Sequence, residues 1–221
     1  MIELVNISKI YHANTEDVKV LDNISFKTYQ SDISVIYGHS GVGKSTLLSI
    51  IGGLLEPSKG EVFFDNKKID YNKDLSYLRK KHLGFIFQDN YLLPEYNMIE
   101  NLIVPQLING KNFSKSKEYS IKMLKMINLE HLANRYFSEV SRGEKQRISL
   151  IRSLINDPSL VIADEPTANL DENNCKQLLD LIVKLNKELG KSFIIATHDE
   201  RFKNIGSSIY NLFNGELIKN A

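Results

Sequence analysis

The eight residues Gly38-His39-Ser40-Gly41-Val42-Gly43-Lys44-Ser45 constrain this chain more than any other stretch. They keep the spacing G-x-x-x-x-G-K-[ST], and both flanks suit it. Ile33 to Tyr37 is a short apolar run that predicts a buried strand, and Ser45 to Leu55 is apolar at helical spacing. Strand, glycine loop and helix start, in that order, make an anion cradle. The glycines let the backbone approach closely, successive N–H groups converge, and the helix end favours negative charge. In such a loop Lys44 reaches the β- and γ-phosphates of a nucleoside triphosphate, and the Ser45 hydroxyl completes a Mg²⁺ shell. The chain is expected to bind a nucleotide.

Holding phosphates does not cleave them; a second carboxylate on the metal side and a group that activates water are also needed. The apolar run Leu160 to Ala163 leads directly into Asp164-Glu165. Asp164, at the end of that strand, is placed to hold Mg²⁺ from the side opposite Ser45. Glu165 is placed to orient and deprotonate the attacking water. His198 follows another buried strand, Ser192 to Ala196, where its imidazole can reach a γ-phosphate. Gln88 also sits just past a strand end, and its amide can sense Mg²⁺ or water.

Strand-like runs recur at 2–7, 18–21, 24–26, 61–64 and 83–87, with a polar turn over 12–17 and a helix over 74–82. From about 90 to 156 the texture changes to helical periodicity, with one stripe at Ile121, Leu124, Ile127 and Leu129 and another at Ile148, Ile151, Leu154 and Ile155. Lysines at 111, 115, 117, 122 and 125 read as a solvated helix and loop surface, because Glu118 and Glu130 break the field. A helix over 172–189 is stopped by Gly190, and the tail reads as a hairpin turning at Asn214-Gly215. Strand–helix alternation on both sides of a helical block predicts an α/β core interrupted by a helical insertion.

With 28 basic and 27 acidic residues among 221, no global field calls for nucleic acid, and no nucleic-acid partner is expected. Cys175 is the only cysteine, which excludes an internal disulfide and suits a reducing compartment. The start lacks the pattern of a signal peptide, and no apolar run approaches the roughly 18–20 residues that span a bilayer. Work at a membrane would go through a partner chain.

Val140-Ser141-Arg142-Gly143-Glu144-Lys145-Gln146-Arg147 precedes Asp164 by about twenty residues. Here the chain resembles the ATPase subunits of ABC transporters, whose signature is L-S-G-G-Q/E. The resemblance covers essentially the whole chain, with its motifs in the family's order. It implies an α/β P-loop NTPase core with an antiparallel β lobe and an inserted helical lobe. Residues 1–221 would form one ATPase domain, with the core and β lobe over 1–88 and 157–221 and the helical lobe over 89–156. Tyr11 would stack on adenine, Gly38 to Thr46 would be Walker A and Gln88 the Q-loop. Ser141, Gly143 and Glu144 would belong to the signature, Asp164 and Glu165 to Walker B, Asp171 to the D-loop, and His198 would be the switch histidine. Two copies would pair head to tail with ATP between one Walker A and the other's signature, and a membrane permease would be the further partner. The chain would sit in the cytoplasm against the inner face of the membrane.

One position departs from the pattern: Arg142 stands where the family has its first signature glycine. We expect it to be tolerated. Phe85 to Gln88, Leu92-Leu93-Pro94, Glu100-Asn101 and the phrase from Ala163 to Asp171 are similar to the LolD/MacB-type export ATPases. Tyr91, Leu92, Leu93 and Tyr96 are expected to form an apolar grip for the permease. The extra C-terminal regulatory domain of some sugar importers is not expected. Soluble ABC-type ATPases of DNA repair or translation carry long coiled coils or two ATPase modules, and this chain has one P-loop and no heptads. A weakly hydrolysing signalling module is suggested only by Arg142.

Overall fold

Near-continuous apolar runs such as Ile33 to Tyr37 and Ser192 to Thr197 can be buried on both faces, which suits a parallel sheet covered by helices. The computed structural model describes residues 1–12 and 16–220, so part of the turn expected over 12–17 lies outside the described residues. A six-stranded sheet has β3 (Ile33–Tyr37), β6 (Leu83–Ile86), β7 (Leu160–Asp164), β8 (Ser192–Thr197), β9 (Ser208–Phe213) and β10 (Glu216–Lys219) in the order β10-β9-β3-β8-β7-β6. Neighbours from β6 to β9 run parallel, and β10 closes the edge antiparallel to β9. The last pair turns at Asn214 and Gly215, both at positive φ, as a tight hairpin requires.

A second sheet is wholly antiparallel. β1 (Ile2–His12) pairs with β2 (Asp17–Lys27) on one side and β4 (Lys59–Phe64) on the other, and the two-residue β5 (Lys67–Lys68) completes the order β2-β1-β4-β5. β1 and β2 run longer than the sequence alternation predicts, because register shifts along their ladder break the simple period.

α1 (Lys44–Ile51) follows β3 and stops short of the expected Leu55, since Gly52 and Gly53 follow and Gly53 turns left-handed at φ 63°. α2 (Ser76–His82) starts two residues later than expected, because the Asp74 carboxylate lies outside it and accepts from the Ser76 N–H at 2.8 Å. Between β6 and β7 come α3 (Met98–Ile108), α4 (Phe113–Met126) and α5 (Arg142–Leu154). α6 (Glu172–Leu189) begins at the Asp171 cap and ends on Gly190 in the left-handed conformation.

The six-stranded sheet is a wall between two cores. Along β3, Val35 and Tyr37 face a cluster built with α3 to α6, while Ile36 faces a cluster built with α1 and the antiparallel sheet. β8 alternates in the same way, Phe193 and Ile195 against Ile194 and Ala196. Each fully buried Leu, Ile or Phe in such a core contributes about 1.5–3 kcal/mol. The C-terminal ends of β3, β7 and β8 therefore form one fixed rim.

Candidate functional site

The rim carries the P-loop after β3, Asp164-Glu165 at the end of β7 and His198 after β8. Gly41 and Gly43 take φ of 79° and 106°, which a side chain would strain. At Gly43 a Cβ would also meet Val20 of β2 at 2.8 Å, so the loop is pressed against the antiparallel sheet. α1 starts at Gly43 with no side-chain cap and no acidic residue in its first turn. Its first N–H groups are left for something else.

Lys44 folds back into its own loop. Its Nζ donates to the carbonyls of Gly38 at 2.7 Å and His39 at 3.1 Å, and lies 3.1 Å from Glu165 Oε1. Glu165 sits at φ 45°, with its N–H donating to the Ala196 carbonyl. Its other oxygen, Oε2, is 2.9 Å from His198 Nδ1 and accepts from the Thr197 hydroxyl at 3.1 Å. Lys44 and Glu165 are 6% and 13% exposed, whereas His198 is 70% exposed. Burial opposes the Glu165 charge, yet the hydrogen bonds from His198 and Lys44 prevail and hold the carboxyl below its ordinary value. It is ionised at neutral pH, the state in which a carboxylate can accept a proton.

Asp164 is the opposite case. Burial pushes its carboxyl up; the Ser45 hydroxyl and Lys44 pull it down, and the Glu165 charge adds to the rise. Its Oδ1 is buried and has no hydrogen-bond partner among the described residues. An orphaned carboxylate oxygen beside a serine hydroxyl fits a Mg²⁺ ion, which takes one or two protein ligands and fills its octahedron with water and phosphate oxygens. A cavity of about 300 Å³ opens here, lined by Val20, Ser40, Gly41, Gly43, Lys44, Ser45, Thr46, Gln88, Asp164 and Glu165. Ten residues from four segments meet at one opening.

The other expected residues lie apart from it. Tyr11 is in β1, 42% exposed, with the Lys9 ammonium 5.4 Å from its ring centre. Ser141 caps α5: its hydroxyl and N–H both donate to Glu144 Oε2, at 2.5 and 2.9 Å. Gly143 is buried because α6 passes over it, and a Cβ there would lie 1.9 Å from Asn174 Oδ1. Asn174 is itself fixed by Asp171, which accepts from its Nδ2 at 2.6 Å, and by Arg147, which donates to its Oδ1 at 3.1 Å. This Asp171–Asn174–Arg147 bridge between α5 and α6 escaped the sequence reading, since nothing in local spacing links residues 27 positions apart. Arg142 is exposed at the start of α5 and lines a second cavity, about 440 Å³, with Gln88, Lys145 and Asn169.

The apolar grip requires a correction. Tyr91, Leu93 and Tyr96 are exposed at 64, 39 and 43%, but Leu92 is buried at 5% in the core behind α3 and α5. A short loop has no periodicity to tell an inward from an outward leucine. A largely apolar groove of about 410 Å³ does lie beside it, lined by Leu93 with Leu54, Phe87, Val104, Pro105 and Ile108 among others.

Residues 21–168 match the family described as ABC transporter. The chain belongs to that family. It is 43% identical to the lipoprotein-releasing system ATP-binding protein LolD of Buchnera aphidicola subsp. Schizaphis graminum, over 100% of this chain and 97% of the relative. It is 37% identical to the LolD of Wigglesworthia glossinidia brevipalpis, over 99% and 96%. Among solved structures, a dimeric ATP-binding cassette in a post-hydrolysis state with ADP and Pi matches with a TM-score of 0.89 at 34% identity, over 98% of this chain and 96% of that one. The chain is an ATP-binding and ATP-hydrolysing subunit of an ABC transporter. Likeness along the whole chain to transporter cassettes leaves a DNA-repair or translation role without support.

Proposed function

We propose that this chain hydrolyses ATP to drive lipoprotein release through a separate membrane permease, working as a head-to-tail pair of identical subunits. The lipoprotein-releasing role of the LolD relatives supports the cargo, and favours release over the drug efflux of MacB-type proteins. The observation that carries the chemistry is Glu165, ionised and fixed at the P-loop cavity between Lys44 and His198.

On this reading incoming phosphates draw Lys44 from the Gly38 and His39 carbonyls and receive the free N–H groups of α1. Glu165 accepts a proton from water as the water oxygen bonds to the γ-phosphorus, while the bond from that phosphorus to the β,γ-bridging oxygen breaks and ADP leaves with its electron pair. His198, bridged to Glu165, would face the γ-phosphate, and Gln88, which lines the P-loop cavity, would act beside it. Mg²⁺, when bound, would neutralise phosphate charge, with Ser45, Asp164 and Gln88 as the residues to hold it. Tyr11 would meet the adenine. Ser141, Gly143 and Glu144 of one copy would face the nucleotide of the other, with Asp171 at the seam. Residues 89–156 would act as the lobe that answers the permease at the apolar groove beside Leu93, from the cytoplasmic side of the membrane. Among the described residues no helix is long and apolar enough to cross it.

Light scattering on Glu165→Gln protein tests the pair. Without the base, ATP–Mg²⁺ should convert monomer to dimer, and ADP should not. Protein that binds ATP yet stays monomeric would overturn the self-pairing.

A further inference from the structure

Arg152 lies in the last turn of α5 and reaches the loop that follows β6. Its Nη1 donates to the Tyr91 carbonyl at 2.5 Å and its Nη2 to the Asn90 carbonyl at 2.6 Å. Ser149, one turn earlier on the same face, adds a longer bond to the Asn90 carbonyl at 3.4 Å. Two short charge-assisted bonds from one planar fork fix both position and orientation, which a single donor cannot do. Burial disfavours the guanidinium charge, and the bonds that answer it go to backbone carbonyls. The two carbonyls are thus its main compensation.

The held loop is short and closed on itself. Tyr91 sits at φ 45°, and its ring meets Phe87 edge-on at 5.2 Å. Gln88 lies between those rings in the chain and lines the P-loop cavity, while Phe87 and Arg152 both line the apolar groove. Shifting the Asn90 and Tyr91 carbonyls must therefore shift Gln88. We propose that Arg152 is a positioning residue for ATP hydrolysis, acting through Gln88. From the far end of the helix that Ser141 caps, its guanidinium fixes the loop presenting Gln88 to the P-loop cavity. One rigid helix then ties the signature segment, the groove and the Gln88 loop into a single body. This rests on the hydrolytic reading above for its effect on rate, but not for its effect on the loop.

The test compares Arg152→Met, Arg152→Lys, Gln88→Ala and the Gln88→Ala/Arg152→Met pair in full-length protein. Arg152→Met should lower kcat by about tenfold or more while ATP affinity stays within about twofold. Arg152→Lys, which keeps the charge but loses the fork, should recover part of that loss and covers the case of an unstable Met variant. Added to Gln88→Ala, Arg152→Met should cost less than about twofold more, because the two act as one unit. Hydrogen exchange supplies a readout free of turnover: the amides of 88–92 should exchange faster in both Arg152 variants, and those of the P-loop should not. Full additivity in the double variant, or KM rising in step with the kcat loss, overturns the proposal. So does unchanged exchange over 88–92. A wild-type protein without ATPase activity would instead refute the hydrolytic reading, and loosened exchange would still stand for the loop.

Discussion

The P-loop and the start of α5 are both glycine-bearing helix starts, yet they are satisfied in opposite ways. α1 has no side-chain cap and no acid in its first turn, so its converging N–H groups are open toward the cavity. α5 is closed by a reciprocal Ser141–Glu144 capping box, and α3, α4 and α6 are likewise capped by side chains. The glycines differ accordingly. Gly41 has open space where its Cβ would be, and its positive φ is what demands glycine, whereas Gly143 is needed because α6 leaves no room. Similar residues serve ligand access at one helix and helix packing at the other.

Gly143→Ala is the strongest way to break that comparison. It forces Asn174 off the Asp171–Arg147 bridge and should destabilise the protein by about 1–3 kcal/mol in urea unfolding. Adding Asn174→Ala should return much of the loss by making room. A Gly143→Ala protein of full stability that fails only in ATP-dependent pairing would mean that this glycine, like those of the P-loop, is there for the ligand.

Acidification sharpens the P-loop side. Because Glu165 has a folded pKa below its ordinary 4.5, the hydrogen bonds to its carboxylate stabilise the protein above that value. Their contribution should be lost as pH falls through the lowered pKa. The stability gap between wild type and Glu165→Gln should therefore be widest near neutrality and close below pH 4.5. A gap that does not change with pH would place no weight on these bonds.

The smallest effect is expected at Arg142. It is exposed outside the capping box, and Arg142→Gly should change the ATPase rate by less than about tenfold, or 1.4 kcal/mol of barrier. A larger gain would show that the signature end is obstructed by its own side chain.

Much of this was legible in the sequence because the rim residues follow strands with strong local signals. The run Leu160 to Ala163 announces Asp164-Glu165, and the Gly190 stop ends α6 without tertiary help. What could not be read depends on contacts between distant segments. Leu92 turns inward because α3 and α5 meet there, Glu165 takes a left-handed backbone to face Lys44, and Arg152 matters only once α5 lies along the Gln88 loop. Register shifts likewise carry β1 and β2 past the ends that alternation suggested.

The position of β3 bears on how the molecule is made. The strand that launches the P-loop lies between β8 and β9, whose residues come from the last part of the chain. During synthesis Ile33 to Tyr37 leave the ribosome early and wait, unpaired and wholly apolar but for Ser34 and Tyr37, until residues 192–213 arrive. Such late, long-range pairing is slow and exposes a sticky segment. The P-loop strand is consequently begun early and completed late, and a chain broken off before its final hairpin would carry the whole loop on a strand with one flank still bare.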